Sequence, residues 1–146
     1  MKIIKLYTDG ACQGNPGPGG WAFVCIDHDG NEVKDCGYQD NTTNNRMEIQ
    51  ACIEGLEEIF CNIKSDFDIV EIYSDSQYLI NTMTKDWQKK KNQDLWLQLD
   101  ACIADLKFDN PKLQIKWHWV KGHAGHPENE RADTLACQGR DLYAPK

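Results

Sequence analysis

Two hydrophobic rhythms divide the chain. From Ile3 to Thr8, the residues Ile4, Leu6 and Thr8 alternate with Lys5 and Tyr7, the two-residue period of a strand. A second apolar run, Trp21 to Ile26, follows a glycine-rich segment, and Asp29-Gly30 supplies a hairpin turn into a third strand near Glu32 to Tyr38. These strands are expected to pair antiparallel. The period then lengthens: Ile49, Cys52, Ile53, Leu56, Ile59 and Phe60 recur at helical spacing, marking an amphipathic helix of about four turns capped by Asn44 or Asn45. Gly55 lies on the line of Glu48 and Cys52, where a missing side chain costs helix stability and implies close packing on the sheet.

Alternation returns at Ile69 to Tyr73, followed by Ser74-Asp75-Ser76, which suits the cap of a short helix carrying Leu79, Ile80 and Met83. A basic turn at Lys89 to Lys91 leads into a helix with Leu95, Trp96, Leu99, Cys102, Ile103 and Leu106 on one stripe. Leu113, Ile115, Trp117 and Trp119 form a fifth strand, and Pro127 opens a last helix at its first position. The order β-β-β-α-β-α-α-β-α predicts an α/β fold: a five-stranded mixed sheet, with helices packed on it. No internal repeat or linker interrupts it, so residues 1–146 are expected to form a single domain.

Composition narrows the class. Hydrophobic residues make up 40% and charged residues 27%, the ordinary globular mix, and no apolar run is long enough to span a bilayer. The N-terminus places Lys2 directly before a short alternating strand, unlike a secretion signal, so a cytoplasmic location is expected. The seven cysteines are an odd number and include no C-x-x-C pair, which argues against disulfides and zinc. Cys25, Cys52, Cys61, Cys102 and Cys137 read as small buried hydrophobes. The formal net charge of -7 argues against a nucleic-acid partner unless some of the acids hold cations.

Four acids are candidates for that role by position alone. Asp9 follows the first strand and Asp75 the fourth, and in open α/β sheets sites form at the carboxyl ends of strands. If those two strands are parallel neighbours, the carboxylates converge; taken singly, each also fits a turn, and Asp75 fits a helix cap. Glu48 lies about 100° round its helix from Ile49, at the edge of the buried face, where a first-turn acid favoured by the helix dipole is equally well accounted for. Asp133 falls early in the last helix, with Ala132, Leu135 and Ala136 facing inward. Brought together, such acids repel by several kcal/mol per close pair unless cations separate them, and oxygen-only donors suit Mg²⁺ or Mn²⁺.

The segments YTDGACQGNPGPGG, TTNNRMEIQA, IYSDSQYLI and WVKGHAGHPENERADTLA, in this order and spacing, closely resemble ribonuclease H of type I, the bacterial ribonuclease HI family, over nearly the whole chain. The resemblance implies a ribonuclease H-like sheet of three antiparallel strands and then two parallel ones, with helices on both faces. It also implies endonucleolytic hydrolysis of the RNA strand of an RNA/DNA hybrid by a two-metal-ion mechanism, leaving 5'-phosphate and 3'-hydroxyl ends. The family's metal-binding catalytic carboxylates fall on Asp9, Glu48, Asp75 and Asp133. One Mg²⁺ would activate the attacking water and a second would stabilise the leaving oxygen, with Mn²⁺ able to substitute. His123 matches a histidine that helps proton transfer or product departure, whereas His126 reads as a helix cap and His118 as a strand residue. Cys12, Gly14, Asn15, Asn45 and Gln77 match contacts to the minor groove of the hybrid, where 2'-hydroxyls distinguish RNA from DNA. Thr43 and Asn44 match contacts to the DNA strand. The protein is expected to act as a monomer.

One departure stands out. Well-studied bacterial members carry a longer Lys/Arg/Trp-rich helical handle where this chain has DWQKKKNQDLW, so weaker hybrid binding is expected, with Trp87 and Lys89 to Lys91 as a residual backbone contact or a solvated turn. The competing readings are a non-catalytic nucleic-acid binding module, another metal nuclease of the same superfold, and a flavodoxin-like binder. The four retained acids, the TNNRME and GHAGHPENERAD segments, and the three opening antiparallel strands argue against them in turn.

Overall fold

The computed structural model describes residues 1–63, 66–85, 89–121 and 127–143. The element order is β1 (Ile3–Cys12), β2 (Gly17–Ile26), β3 (Glu32–Thr42), α1 (Asn44–Asn62), β4 (Ile69–Ser74), α2 (Gln77–Thr84), α3 (Gln93–Asp109), β5 (Gln114–Trp119) and α4 (Pro127–Tyr143). The strands form one sheet in the order β3-β2-β1-β4-β5. β1, β2 and β3 pair antiparallel, while β4 lies parallel to both β1 and β5. The expected mixed sheet is therefore present, and its condition for a shared site, β1 beside a parallel β4, is met.

The strand alternation sends Ile4, Leu6, Val70 and Ile72 to one face, where they meet Ile49, Ile53, Leu56 and Ile59 of α1 and Leu95, Trp96 and Leu99 of α3. On the opposite face α4 lays Ala132 against Tyr7 and Val24, and Ala136 against Ala11 and Ala22. Small residues on both partners let α4 approach the sheet closely. Gly55 does the same for α1: a Cβ there would lie 2.6 Å from Leu6 Cδ1. Among the described residues no helix is long and apolar enough to cross a membrane.

Several expectations are corrected. β1 and β2 run on through the glycine-rich segment, with Cys12 opposite Gly19, because main-chain pairing needs no apolar side chains. Thr43, rather than Asn44 or Asn45, caps α1: its backbone is extended and its hydroxyl oxygen accepts from Arg46 N at 3.2 Å. Ser76, not Asp75, caps α2, accepting from Leu79 N at 3.1 Å. Phe60 lies outside the buried stripe of α1 and is 41% exposed. Cys61 is exposed beside it, and Cys102 and Cys137 are half-buried, so only Cys25 and Cys52 of the five are core residues. Lys89 is engaged within the protein, 3.0 Å from Asp100, which weakens its case as a nucleic-acid contact. Trp87 and His126 lie outside the described residues.

Candidate active site

The parallel register places Tyr7 beside Tyr73, so Asp9 and Asp75 lie two residues beyond matched positions on adjacent strands. Asp9 still pairs with Ala22 across β2, whereas Asp75 has just left β4. Gly10 brings the third acid in. A Cβ at that position would lie 2.6 Å from both Glu48 N and Met47 C, so the missing side chain is what lets the start of α1 sit on β1. Gly10 N then donates to Glu48 Oε1 at 2.9 Å and to Asp9 Oδ1 at 2.9 Å. The Ser74 hydroxyl donates to Glu48 Oε2 at 3.3 Å, holding its other oxygen.

As a result Asp9, Glu48 and Asp75 each bring a carboxylate oxygen within 4.8 Å of the others. Asp9 and Glu48 are buried, with 4% and 7% of their surfaces exposed, so neither is the solvated turn or first-turn acid that position alone allowed. Asp133 is half-buried on the inner side of α4, carried there by Ala132 and Ala136, and adds to the electrostatic pressure on Asp9.

The electrostatics follow from this crowding. Burial first, then the adjacent Glu48 and its hydrogen bond, and then Asp75, raise the Asp9 carboxyl far above its ordinary value of 3.8. Burial also raises Glu48, although the hydrogen bond from Asp9 and those from Gly10 and Ser74 favour its charged form. A proton shared from Asp9 to Glu48 is thus one way to relieve the cluster, and a divalent cation is another. The donor set fits a hard cation: every atom converging here is a carboxylate oxygen, and Gly10 N and Ser74 Oγ already fix the orientation of Glu48.

A family model described as RNase H matches residues 1–141. The chain belongs to the RNase H family. Ribonuclease H of Parvibaculum lavamentivorans is 45% identical over 156 residues, covering 98% of this chain and 95% of that protein. Ribonuclease HI of Caulobacter vibrioides is 42% identical, covering 98% of this chain and 96% of that protein. Among solved structures, LC11-RNase H1 in complex with an RNA/DNA hybrid superposes with a TM-score of 0.74 at 30% identity, covering 95% of this chain and 97% of that one. Membership makes the chain a ribonuclease H enzyme dependent on divalent metal.

The residues matched to substrate contacts gather on the same edge of the sheet. Cys12 ends β1, Gly14 and Asn15 lie in the loop to β2, Thr43 to Asn45 open α1, and Gln77 opens α2. Asn15 Oδ1 accepts from Asn44 N at 3.3 Å, tying the glycine-rich loop to the start of α1. His123 lies outside the described residues. His118, in β5, stacks on Tyr73 and lies 3.0 Å from Glu71, a structural arrangement within the sheet.

Two neighbours of the site were not legible as such. Ser74 reads from the chain as part of a strand end suited to a helix cap, yet its hydroxyl holds Glu48. Trp119 reads as a buried alternating strand residue, but it is 47% exposed and its indole Nε1 donates to the Asp75 carbonyl at 3.1 Å. The last main-chain bond of this pair, Val120 N to Ser74 O, is one residue earlier on β4, so the indole extends the pairing to Asp75. The aromatic end of the alternating run was the only sequence signal for it.

Proposed function

We propose that residues 1–146 form a single catalytic domain, an endoribonuclease that hydrolyses the RNA strand of RNA/DNA hybrids and leaves 5'-phosphate and 3'-hydroxyl ends. The observation that carries this reading is the convergence of Asp9, Glu48 and Asp75 at the end of β1 and β4 in a chain of the RNase H family. The oxygen-only donor set favours Mg²⁺, with Mn²⁺ as a substitute, and Asp9, Glu48, Asp75 and Asp133 would hold it. Bound there, such ions supply Lewis acidity to water and phosphate and offset charge at the leaving 3'-oxygen.

The chain's own groups prepare that site. Gly10 N–H and the Ser74 hydroxyl hold Glu48, and the Trp119 indole holds the Asp75 peptide, so ordering of the carboxylates precedes substrate binding. Cys12, Gly14, Asn15, Asn45 and Gln77 are assigned to the hybrid's minor groove, where amide side chains and close main chain suit 2'-hydroxyls. Thr43 and Asn44 are assigned to the DNA strand. The cap bond uses Thr43 only as an acceptor, and a hydroxyl also donates, so the cap and a phosphate contact are compatible. The role of His123 in proton transfer or product departure rests on its match to the family segment. The enzyme is assigned to the cytoplasm as a monomer. Incubating end-labelled RNA as a DNA hybrid, as a single strand and as an RNA duplex, with Mg²⁺ or EDTA, tests the reading: cutting of the hybrid alone, with Mg²⁺ alone, is expected. Equal cutting of all three RNAs, or no cutting with either Mg²⁺ or Mn²⁺, would overturn it.

A further inference from the structure

The active-site edge leaves unexplained a second feature on another side of the molecule. α3 buries Leu95, Trp96, Leu99 and Leu106, yet its opposite side is also apolar. Leu97, Ala101, Ala104 and Phe108 fall at i, i+4, i+7 and i+11, one continuous helical line, and all four are exposed. Leu97 is 71% exposed and Phe108 85%, and Phe60 of α1, 41% exposed, adds a third large side chain across the groove between the two helices. Single exposed apolar residues are ordinary; a line over three turns of one helix is not. The line is also shaped. Large side chains stand at its two ends and alanines between them, leaving a saddle about 16 Å long at 1.5 Å per residue, the length of a short helix.

The surroundings specify charge. A cleft of about 190 Å³ between α1 and α3 is lined by Phe60 and Ala101 together with Glu57 and Asp105. α3 carries Asp94, Asp100, Asp105 and Asp109 against the single basic Lys107, and the adjoining turns of α1 add Glu54 and Glu58. Lys89 offsets Asp100 and Arg46 offsets Asp94, so the excess negative charge lies with Asp105, Asp109 and Glu57 on the α1 flank. A second copy of this chain would bring the same acids against one another, which like-charge repulsion disfavours.

We propose that the outer face of α3, with Phe60 at its edge, is a docking surface for a basic amphipathic helix of a partner protein, about three turns long. The partner's apolar side chains would sit over Ala101 and Ala104 between Leu97 and Phe108, and its Lys or Arg residues would face Glu57 and Asp105. The surface is separate from the carboxylate cluster, so a bound partner would recruit the enzyme without covering its site.

The test uses a synthetic 14-residue helical peptide with Leu on one face and Lys on its flanks, and a twin with Glu in place of every Lys. Each is titrated into isotope-labelled protein at about 0.15 M salt, where surface pairs are screened within about 8 Å. The Lys peptide is expected to shift the amides of Phe60, Leu97, Ala101 and Phe108, and the Glu twin is expected not to bind. The double variant Leu97→Ser/Phe108→Ser, altered only at exposed positions, should keep its circular dichroism and hybrid cleavage while losing at least tenfold in peptide affinity. Shifts centred on Asp9, Glu48 and Asp75, or equal affinity in the double variant or for the Glu twin, would overturn the proposal. So would a concentration-dependent dimer abolished by the double variant, which would make the face a contact between copies.

Discussion

Replacing Asp9 by Asn should stabilise the metal-free protein while destroying its activity, and the size of the gain can be worked out. Asp9 is buried beside Glu48 and Asp75, and its folded-state pKa is raised above the ordinary 3.8. For a group raised in this way, stability is fully present below pH 4 and is lost as the pH rises towards the folded value. At about 1.4 kcal/mol per pH unit, keeping that carboxyl protonated costs at most about 1.7 kcal/mol at pH 5 and about 4.5 kcal/mol at pH 7. Asparagine carries no such cost, and its amide can still donate to Glu48 in place of the Asp9 proton. Imperfect geometry should leave roughly half the ceiling, about 2 kcal/mol at pH 7, which at a urea slope of about 2 kcal/mol per M moves the midpoint by about 1 M. The assay is urea unfolding in EDTA at pH 5, 6 and 7, followed by circular dichroism. A gain that grows with pH is expected. A variant less stable than the parent at pH 7, or a difference independent of pH, would refute the picture of carboxylates compressed against their own charge.

Three further outcomes follow from the same geometry. Added Mg²⁺ should stabilise the parent against urea by about 2.7 kcal/mol at a hundredfold excess over its dissociation constant, and leave Asp9→Asn nearly unmoved; equal stabilisation of both proteins would place the ion elsewhere. Gly10→Ala puts a Cβ 2.6 Å from the main chain of Met47 and Glu48, so it should lower stability by about 1–3 kcal/mol and cleavage by more than tenfold, measured by unfolding and by turnover; parental values for both would show that α1 yields freely. Trp119→Phe keeps the ring but removes the donor to the Asp75 carbonyl, so kcat should fall about fivefold, the worth of about 1 kcal/mol, with KM unchanged. A rise in KM alone would make the indole a substrate contact instead.

The sequence displayed the fold more readily than the site. Alternation in Ile3–Thr8 and Ile69–Tyr73 and helical spacing from Ile49 to Ile59 depend on local periodicity, and the elements stand where those patterns put them. The errors lie where backbone geometry, rather than side-chain polarity, decides: β1 and β2 continue through glycines, and Thr43 caps α1 although two asparagines follow it. Phe60 was read into the buried stripe because helical spacing alone does not show where the covered face of α1 ends, whereas Leu97 lies off the α3 stripe and is exposed. The carboxylates were legible as candidates from their places at strand ends and a helix edge. Position alone left Glu48 open and the family resemblance joined it to Asp9; what holds it there was not legible, because Gly10 N–H and Ser74 Oγ take those roles only once β1, β4 and α1 meet.

The central claim is that Asp9 stands in a carboxylate centre that cuts hybrid RNA with a divalent ion. The most direct measurement is single-turnover cleavage of a labelled hybrid by the parent and by Asp9→Asn in Mg²⁺, with binding of the uncut hybrid measured in parallel in EDTA. The expected result is a parent that cuts only with metal, and a variant that binds the hybrid comparably but cuts at least a thousandfold more slowly. Cleavage by the variant at near the parental rate, or cleavage by the parent in EDTA, would contradict it.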